Sequence, residues 1–183
     1  MTSPIFPLKD KSELTEEMQQ SFERSLSRRG EAKLIGAMGY APELFNWYVD
    51  NFYGKLFYNG EVPTIYKELG RLRLSHLHGC QSCNKGNRLD AQAVGLSPEK
   101  IAAIGNEKHG IFDPADKAVI ELADLMSLHA RGQRLKKRLY DDLTLHFSEG
   151  QILELSMTFS LLAGMAHFLF AFEMVDREKS CEF

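Results

Sequence analysis

Cysteine is scarce in this chain of 183 residues, which has three, two of them at positions 80 and 83. So few cysteines exclude the disulfide framework of small secreted domains. The 6 prolines and 14 glycines are too few for a collagen-like or disordered chain. The first ten residues contain prolines and an aspartate but no apolar stretch of signal-peptide length, so we expect a cytoplasmic, reducing location.

An excess of positive charge is also lacking. The chain has 22 basic and 25 acidic residues, a formal net charge of −3, so no basic surplus is available for phosphates or an anionic membrane. We therefore expect no nucleic acid and no membrane partner. Hydrophobic residues at 44% and charged residues at 26% are typical of a soluble globular domain. Without a composition break, we predict a single domain over residues 1–183, with a core of about 42–175 and an N-terminal helical extension at 12–38.

The longest uncharged run, Leu155 to Phe172, reaches the lower length limit of a membrane-spanning helix. Serine, threonine and His167 interrupt it, Glu154 and Glu173 flank it, and no Lys or Arg cluster marks a cytoplasmic end. We therefore predict a central helix that packs on several sides within its own domain or against a second copy, and hence a homo-oligomer. His167 is interpreted as a core histidine.

Helical periodicity dominates the chain, and no run alternates apolar with polar residues, so the sequence predicts an all-α fold. A first helix is expected to be capped by Ser12 and to end at Gly30. Ser97, Asp113 and Ser148 are expected to begin three later helices, the second of which ends near Gly132 and the third near Val175.

Reactive side chains concentrate around Cys80 and Cys83. Three residues apart at a predicted helix start, the two cysteines share one helix face and their sulfurs can form a disulfide. The unpaired N–H groups and positive dipole at a helix N-terminus favour a thiolate. This pattern predicts a redox dithiol. Asn87, one turn beyond Cys83, can hydrogen-bond there but cannot carry a proton at neutral pH.

Glu68 lies in the preceding helical segment. If Gly79 reverses the chain, that helix runs back beside the cysteine helix, and the Glu68 carboxylate could face the cysteines as a base or proton store. The competing interpretation of Glu68 is a solvated residue paired with Arg71. His78, two residues before Cys80, is a further candidate for proton transfer.

The cysteine pair has other interpretations. With His76 and His78 it could form part of a zinc site, although the helix break and the lack of a second ligand pair count against this. The two could also be unrelated core cysteines. Haem attachment is excluded because Asn84, and not histidine, follows Cys83. The third cysteine, Cys181, lies in a charged tail and is interpreted as incidental.

Glu68, the Cys80-Gln-Ser-Cys83 motif and the polar residue Asn87 are spaced as in a known family. Together with an Arg-Leu-Arg-rich helix, Gly95-Leu96-Ser97 and Phe147-Ser148-Glu149-Gly150-Gln151, the pattern resembles the alkylhydroperoxidase D-like core of the carboxymuconolactone decarboxylase family. The likeness extends over Pro42 to Val175. It implies an all-helical fold that assembles as dimers, trimers or hexamers, and thiol-dependent peroxidase or disulfide-reducing activity without metal, flavin or another cofactor.

One departure from that family is Asn87, because the peroxidase pattern has histidine there and the proton relay attributed to those enzymes passes through it. His78 could substitute at a different geometry. The family also contains cofactor-free decarboxylases acting on lactones, which usually lack the cysteine pair.

The leading hypothesis is therefore an alkylhydroperoxidase-like, peroxiredoxin-type enzyme that reduces hydroperoxides or disulfides. The proposed roles are Cys83 as the attacking and Cys80 as the resolving cysteine, although the sequence alone leaves the reverse order open. Glu68 accepts or supplies protons, and a separate dithiol reductant protein restores the thiols. The alternatives are a cofactor-free decarboxylase or lyase and a non-enzymatic helical oligomerisation module.

Overall fold

The computed structural model of the chain describes residues 4–106, 110–130, 132–176 and 178. Over these residues the fold is all-α, as predicted. The helices are α1 Glu16–Arg29, α2 Lys33–Met38, α3 Pro42–Asn46, α4 Thr64–Leu77, α5 Gln81–Ala93, α6 Pro98–Ala103, α7 Pro114–Met126, α8 Lys137–Thr144 and α9 Glu149–Ala171. A π-helical segment, Trp47–Tyr58, continues α3 directly.

Several predicted helix ends are confirmed, and three differ. One of the three is the end of α9, which lies at Ala171 and not near Val175. The first helix is capped by Thr15 and not by Ser12, because Ser12 lies in a separate short 3-10 turn, Lys11–Glu13. It ends at Gly30 as predicted, where φ is +84°. The helix α7 ends at Met126, before the predicted stop near Gly132. The reason lies at Ser127, whose hydroxyl donates to the Asp124 carbonyl and whose backbone becomes extended.

The main core forms around α4, which packs against α5, α7 and α9. Helices α4 and α9 approach closely at Gly70, where a β-carbon would lie only 2.0 Å from the Phe159 ring. Both Phe159 and Leu69 are fully buried. This close contact fixes α4, and with it the turn that leads into the cysteine helix.

A second, smaller apolar cluster joins the N-terminal helices to the rest of the chain. It is built from Leu14, Met18, Met38 and Phe45, with Met165 of α9 packed against it. Helix α1 also packs against α5. The predicted N-terminal extension therefore lies over the cysteine helix and covers one side of the site described below.

The apolar helix α9 is only partly covered by its own chain. Its inner side buries Leu155 and Phe159, whereas Leu153 and Met157 are exposed. His167 is exposed as well, so its interpretation as a core histidine was wrong: none of the described elements covers the outer face of α9 at that position.

Among the described segments, α9 is long and apolar enough to cross a membrane, with a mean hydropathy of 1.5 and 33% of its most apolar stretch buried. Core helices of soluble proteins share these properties, so they do not by themselves indicate a membrane protein.

Candidate functional site

The turn between α4 and α5 holds the two cysteines. Helix α4 ends at Leu77, Gly79 adopts a left-handed φ of +63°, and Cys80 is the N-cap of α5. Cys80 and Cys83 form a disulfide whose Cα atoms are 5.2 Å apart. The predicted pairing at a helix start is confirmed. Cys80 is 1% exposed and Cys83 is half-buried, so Cys83 is the sulfur that a reagent reaches first.

Polar groups surround the buried Cys80 sulfur. The backbone N–H of Cys83 donates to it at 3.3 Å, and the Ser82 hydroxyl lies 3.9 Å away. Both groups, with the helix dipole, stabilise negative charge on Cys80 once the disulfide opens.

The disulfide opens into a cavity of about 550 Å³ that is also lined by His78 and Asn87. The other walls come from several elements. Helix α1 contributes Arg24, Arg28 and Arg29, the π-helical segment contributes Tyr48, Tyr53 and Tyr58, and α9 contributes aliphatic side chains. A small organic molecule with both apolar and acidic parts fits this lining.

Glu68 is fully buried, and Arg71 binds it through two hydrogen bonds of 2.9 and 2.8 Å. The interpretation of Glu68 as a solvated residue was wrong, although its pairing with Arg71 is present. Burial raises the pKa of Glu68, and Arg71 opposes that change. Arg71 lines the cavity and Glu68 does not. The Glu68 carboxylate therefore influences the site only indirectly, by binding the Arg71 guanidinium. A direct role of Glu68 in proton transfer stays a prediction.

Arg71 connects Glu68 to α5 by donating to Asp90 at 2.8 Å. Asp90 also pairs with Arg28 and, at 3.6 Å, with Arg29 of α1. Arg29 further donates to the Asn87 side chain at 3.4 Å. Asn87 is therefore held on the cavity wall, 4% exposed, in contact with an arginine from the N-terminal extension.

His78 lies in the same wall and is 1% exposed. Its Nε2 accepts the Leu128 N–H at 3.1 Å, which places the ring hydrogen of the neutral imidazole on Nδ1. Burial, and after it the neighbouring His129, lowers the pKa of His78 to about 4. At neutral pH the His78 ring is therefore uncharged. Its Nδ1–H can donate a hydrogen bond, but the ring does not act as a cationic acid.

The lowered pKa of His78 makes stability depend on pH. Below about pH 6.5, the ordinary pKa of histidine, His78 binds a proton in the unfolded chain but not in the native one. The contribution of neutral His78 to the free energy of unfolding is therefore fully present only above about pH 6.5. It should fall as the pH drops toward 4, by up to about 3 kcal/mol. Urea denaturation between pH 4 and 7.5 measures this loss. In His78→Gln, which keeps an acceptor for Leu128, the loss should be smaller by that amount. Equal losses in both proteins would contradict the assignment.

The C-terminal segment also contacts the disulfide turn. The Gln81 N–H donates to the Asp176 carbonyl at 3.3 Å, and the Glu178 N–H donates to the Gly79 carbonyl at 2.7 Å. Asn84 donates to the Glu178 carboxylate at 2.8 Å. Cys181, interpreted above as incidental, lies outside the described residues.

Several cavity residues were not predicted from the sequence: Arg28, Arg29, Glu31, Tyr48, Tyr53 and Asp90. Arg24 and Arg28 are four residues apart and share one face of a helix. A charged helix face is usually exposed to solvent, and no feature of the sequence indicated that this face lines a cavity. In the ranges that the structure describes, no group of three His, Cys, Asp or Glu residues is placed to hold a metal ion.

A family match lies over this site. Residues 42–124, which include both cysteines, Glu68 and Asn87, match the family model "Carboxymuconolactone decarboxylase family". The matched segment is a little under half of the chain, and over that segment the chain is similar to the family. The uncharacterized protein YdfG of Bacillus subtilis (strain 168) is 27% identical over 95 residues, 51% of this chain. That match covers 64% of YdfG, slightly less than two thirds of its length.

Solved structures share the fold over nearly the whole chain. An uncharacterized peroxidase-related protein with an alkylhydroperoxidase AhpD core, from Ralstonia eutropha JMP134, superimposes with a TM-score of 0.74 at 11% identity, covering 98% of this chain and 94% of that one. A cysteine-to-alanine variant of the debrominase Bmp8, in complex with 2,3,4-tribromopyrrole, gives a TM-score of 0.73 at 16% identity, covering 98% and 94%. At these identities the comparison establishes an AhpD-like fold.

Proposed function

We propose that this protein is a thiol-dependent oxidoreductase that reduces hydroperoxides or disulfides through Cys80 and Cys83. The observation that carries the proposal is the disulfide at the start of α5, in which both cysteines line the cavity, Cys83 as a half-buried residue and Cys80 as a buried one. A pair of core cysteines would not need a cavity, and a structural disulfide is uncommon in a reducing cytoplasm.

The reaction with a hydroperoxide takes two steps. The Cys83 thiolate attacks one peroxide oxygen, the O–O bond breaks, and the alkoxide leaves as an alcohol after taking a proton, so Cys83 becomes a sulfenic acid. The Cys80 thiol then attacks the Cys83 sulfur, the disulfide forms, and the hydroxyl leaves as water with the Cys80 proton. A dithiol reductant reduces the disulfide and supplies both electrons.

Because asparagine and not histidine is present at position 87, we expect peroxide reduction to be slow but not absent. It accepts from Arg29 and can orient the Cys83 sulfur, but it does not ionise. His78 carries its ring hydrogen on Nδ1 and does not change charge at neutral pH. A positioned acid or base contributes about a hundredfold to ten-thousandfold, and this site lacks one at position 87.

A second candidate is reductive dehalogenation of a small aromatic ring. The observation that favours it is the tyrosine and aliphatic lining of the cavity, which suits a flat apolar ring beside an arginine-bound acidic group. Bmp8, with the same fold, is described as a debrominase bound to a brominated pyrrole. A cofactor-free lyase remains the third alternative, and it would not need the cysteines.

Thiol labelling tests the redox proposal. One equivalent of an alkyl hydroperoxide should remove the thiols of Cys80 and Cys83, leave that of Cys181, and release one equivalent of alcohol, without covalent dimers. Peptide mapping after alkylation, with product analysis, measures this. Full labelling of Cys80 and Cys83 after exposure to peroxides, to disulfides and to halogenated pyrroles would contradict every thiol-dependent function and favour the lyase.

Three further predictions stay open for experiment. The exposed apolar side chains Leu153 and Met157 support our proposal that the protein is a homo-oligomer in which a second copy covers α9. The cytoplasmic location and the dithiol reductant protein are likewise proposals, based on the composition and the cysteine pair.

A further inference from the structure

Arg29 is a charged residue of the cysteine site that the proposed reaction does not yet use. It lies in the last turn of α1, in the N-terminal extension, and its side chain lines the cavity together with Cys83. Its guanidinium donates to the Asn87 side chain at 3.4 Å and lies 3.6 Å from the Asp90 carboxylate. Two residues of the cysteine helix therefore bind an arginine from a distant part of the chain.

Gly86 makes room for this arginine on the surface of α5. A β-carbon at position 86 would lie 2.8 Å from the Arg29 Cζ and 2.9 Å from its Nη1, closer than β-carbons approach other atoms in proteins. Any larger residue at position 86 would therefore displace the guanidinium. The Arg29 side chain is 28% exposed, so most of it packs against the protein instead of extending into solvent.

Gly86 and Asn87 are the neighbours of Cys83 on its own helix face. They follow Cys83 by three and four residues, and residues at these spacings lie about 5–6 Å apart on one face. Side chains in a helix lean toward its N-terminus, so the Asn87 amide leans toward the turn that holds Cys83. The guanidinium that binds Asn87 is therefore about one helical turn from Cys83, on the same cavity wall.

We propose that Arg29 is a positioning residue of the redox site: it holds Asn87 on the Cys83 face of α5 and supplies a permanent positive charge that favours the Cys83 thiolate. The inference rests on the proposed function and adds the group that activates its attacking sulfur. Arginine stays charged at every pH at which the reaction is expected to run. The Arg29–Asn87 pair does not transfer protons, but it provides the positive charge that a thiolate needs nearby.

The charges beside Cys83 have a positive balance. Three arginines share two carboxylates there, which leaves one positive charge unbalanced. The arginines are Arg28, Arg29 and Arg71, and the carboxylates are those of Glu68 and Asp90.

Other titratable groups face Cys83 from every element around the cavity. Besides the tyrosines of the π-helical segment, they are Arg24 and Glu31 near α1, Asp50, His78, Lys85 of α5 and Glu178 on the disulfide turn. The pKa of His78 is lowered to about 4, so its charge is constant near neutral pH, whereas burial raises the pKa of Glu31. Because a comparison of variants at position 29 leaves all these groups in place, it reports the effect of Arg29.

The test is alkylation of Cys83 by iodoacetamide between pH 5 and 9 in the parent variant Cys80→Ser/Cys181→Ser, in which Cys83 is the only thiol. Serine is a favoured N-cap, so α5 should keep its start. The alkylation rate follows the thiolate fraction, and the midpoint of its pH dependence is the quantity compared.

Arg29→Gln should raise this midpoint by about one pH unit, which lowers the rate about tenfold at a pH below both midpoints. An opposite charge within about 4–6 Å moves an ionisation by about one to three pH units. The lower end is expected because Arg29 is partly exposed and is shared with Asp90.

Three variants separate the charge from the fold. Arg29→Lys keeps the charge and should keep most of the parent midpoint. Gly86→Ala keeps the arginine but displaces its guanidinium, so it should raise the midpoint in the same direction as Arg29→Gln. Alanine favours a helix more than glycine does, so Gly86→Ala decides the question even if Arg29→Gln fails to fold. Arg134→Gln removes an exposed arginine outside the cavity and should resemble the parent.

An unchanged midpoint in correctly folded Arg29→Gln would overturn the proposal. So would an equal rise in Arg134→Gln, or a midpoint in Arg29→Lys as high as that in Arg29→Gln. The assay uses neither a peroxide nor a disulfide. Failure of this inference is therefore distinguishable from failure of the proposed function, which would appear as absence of alcohol formation by the wild type.

Discussion

Replacing Cys83 by serine should lower thiol-dependent reduction of an alkyl hydroperoxide by at least about a thousandfold, because a serine hydroxyl is not ionised at neutral pH. Cys83 is the half-buried sulfur of the pair and Cys80 is 1% exposed, so the first attack is assigned to Cys83. Steady-state alcohol formation with an excess of dithiothreitol measures the loss.

Cys80→Ser should behave differently from Cys83→Ser. In the reduced, dithiothreitol-free protein it should still form one equivalent of alcohol and then stop, with Cys83 left as a sulfenic acid because no neighbouring thiol can resolve it. A sulfenic-acid trap should mark Cys83 in this variant. Cys181→Ser is the control and should turn over like the wild type. A single burst in Cys83→Ser, with none in Cys80→Ser, would reverse the two roles.

Of the substitutions considered for stability, Arg71→Met should lower the free energy of unfolding most, by about 3–5 kcal/mol, because it leaves the fully buried Glu68 carboxylate without its cationic partner. Asp90 would lose one of its arginine partners in the same change. Urea denaturation at neutral pH measures the difference. Methionine keeps most of the side-chain volume, so an unpaired charge and not a cavity is the main cost.

Two controls make the Arg71 experiment specific. Adding Glu68→Gln to Arg71→Met removes both charges and should recover part of the loss. Lys137→Met breaks the exposed pair with Asp141 and should cost less than about 1 kcal/mol. If Arg71→Met were as mild as Lys137→Met, the buried pair would not contribute to stability as described.

The sequence predicted those parts of the molecule that depend on local chemistry. Ser97, Asp113 and Ser148 begin helices because their side chains accept a backbone N–H three residues on, which neighbouring residues alone decide. The cysteine pair was recognisable for the same reason: three-residue spacing after a glycine turn is a local feature.

The parts that sequence reasoning missed depend on contacts between distant segments. Glu68 was expected to face the cysteines, but Arg71, one turn later in the same helix, binds it and contacts Asp90 of α5. Arg29 of α1 contacts Asn87 of α5 only because α1 packs against α5. The spacing of residues along the chain does not predict either contact. The exposed outer face of α9 could not be predicted either, because the run Leu155 to Phe172 is uncharged on every side of the helix.

The position of α1 has a consequence for engineering and divergence. The disulfide and its turn belong to α4 and α5, whereas Ser21 and Arg24, which also line the cavity, belong to a helix outside the matched family segment. Changes at these two positions alter the shape and charge that an incoming molecule meets without altering the cysteine pair. Under the proposed function, ligand selectivity and thiol chemistry can therefore be varied separately, and a combinatorial library on this face of α1 is expected to change selectivity while leaving the disulfide turn intact.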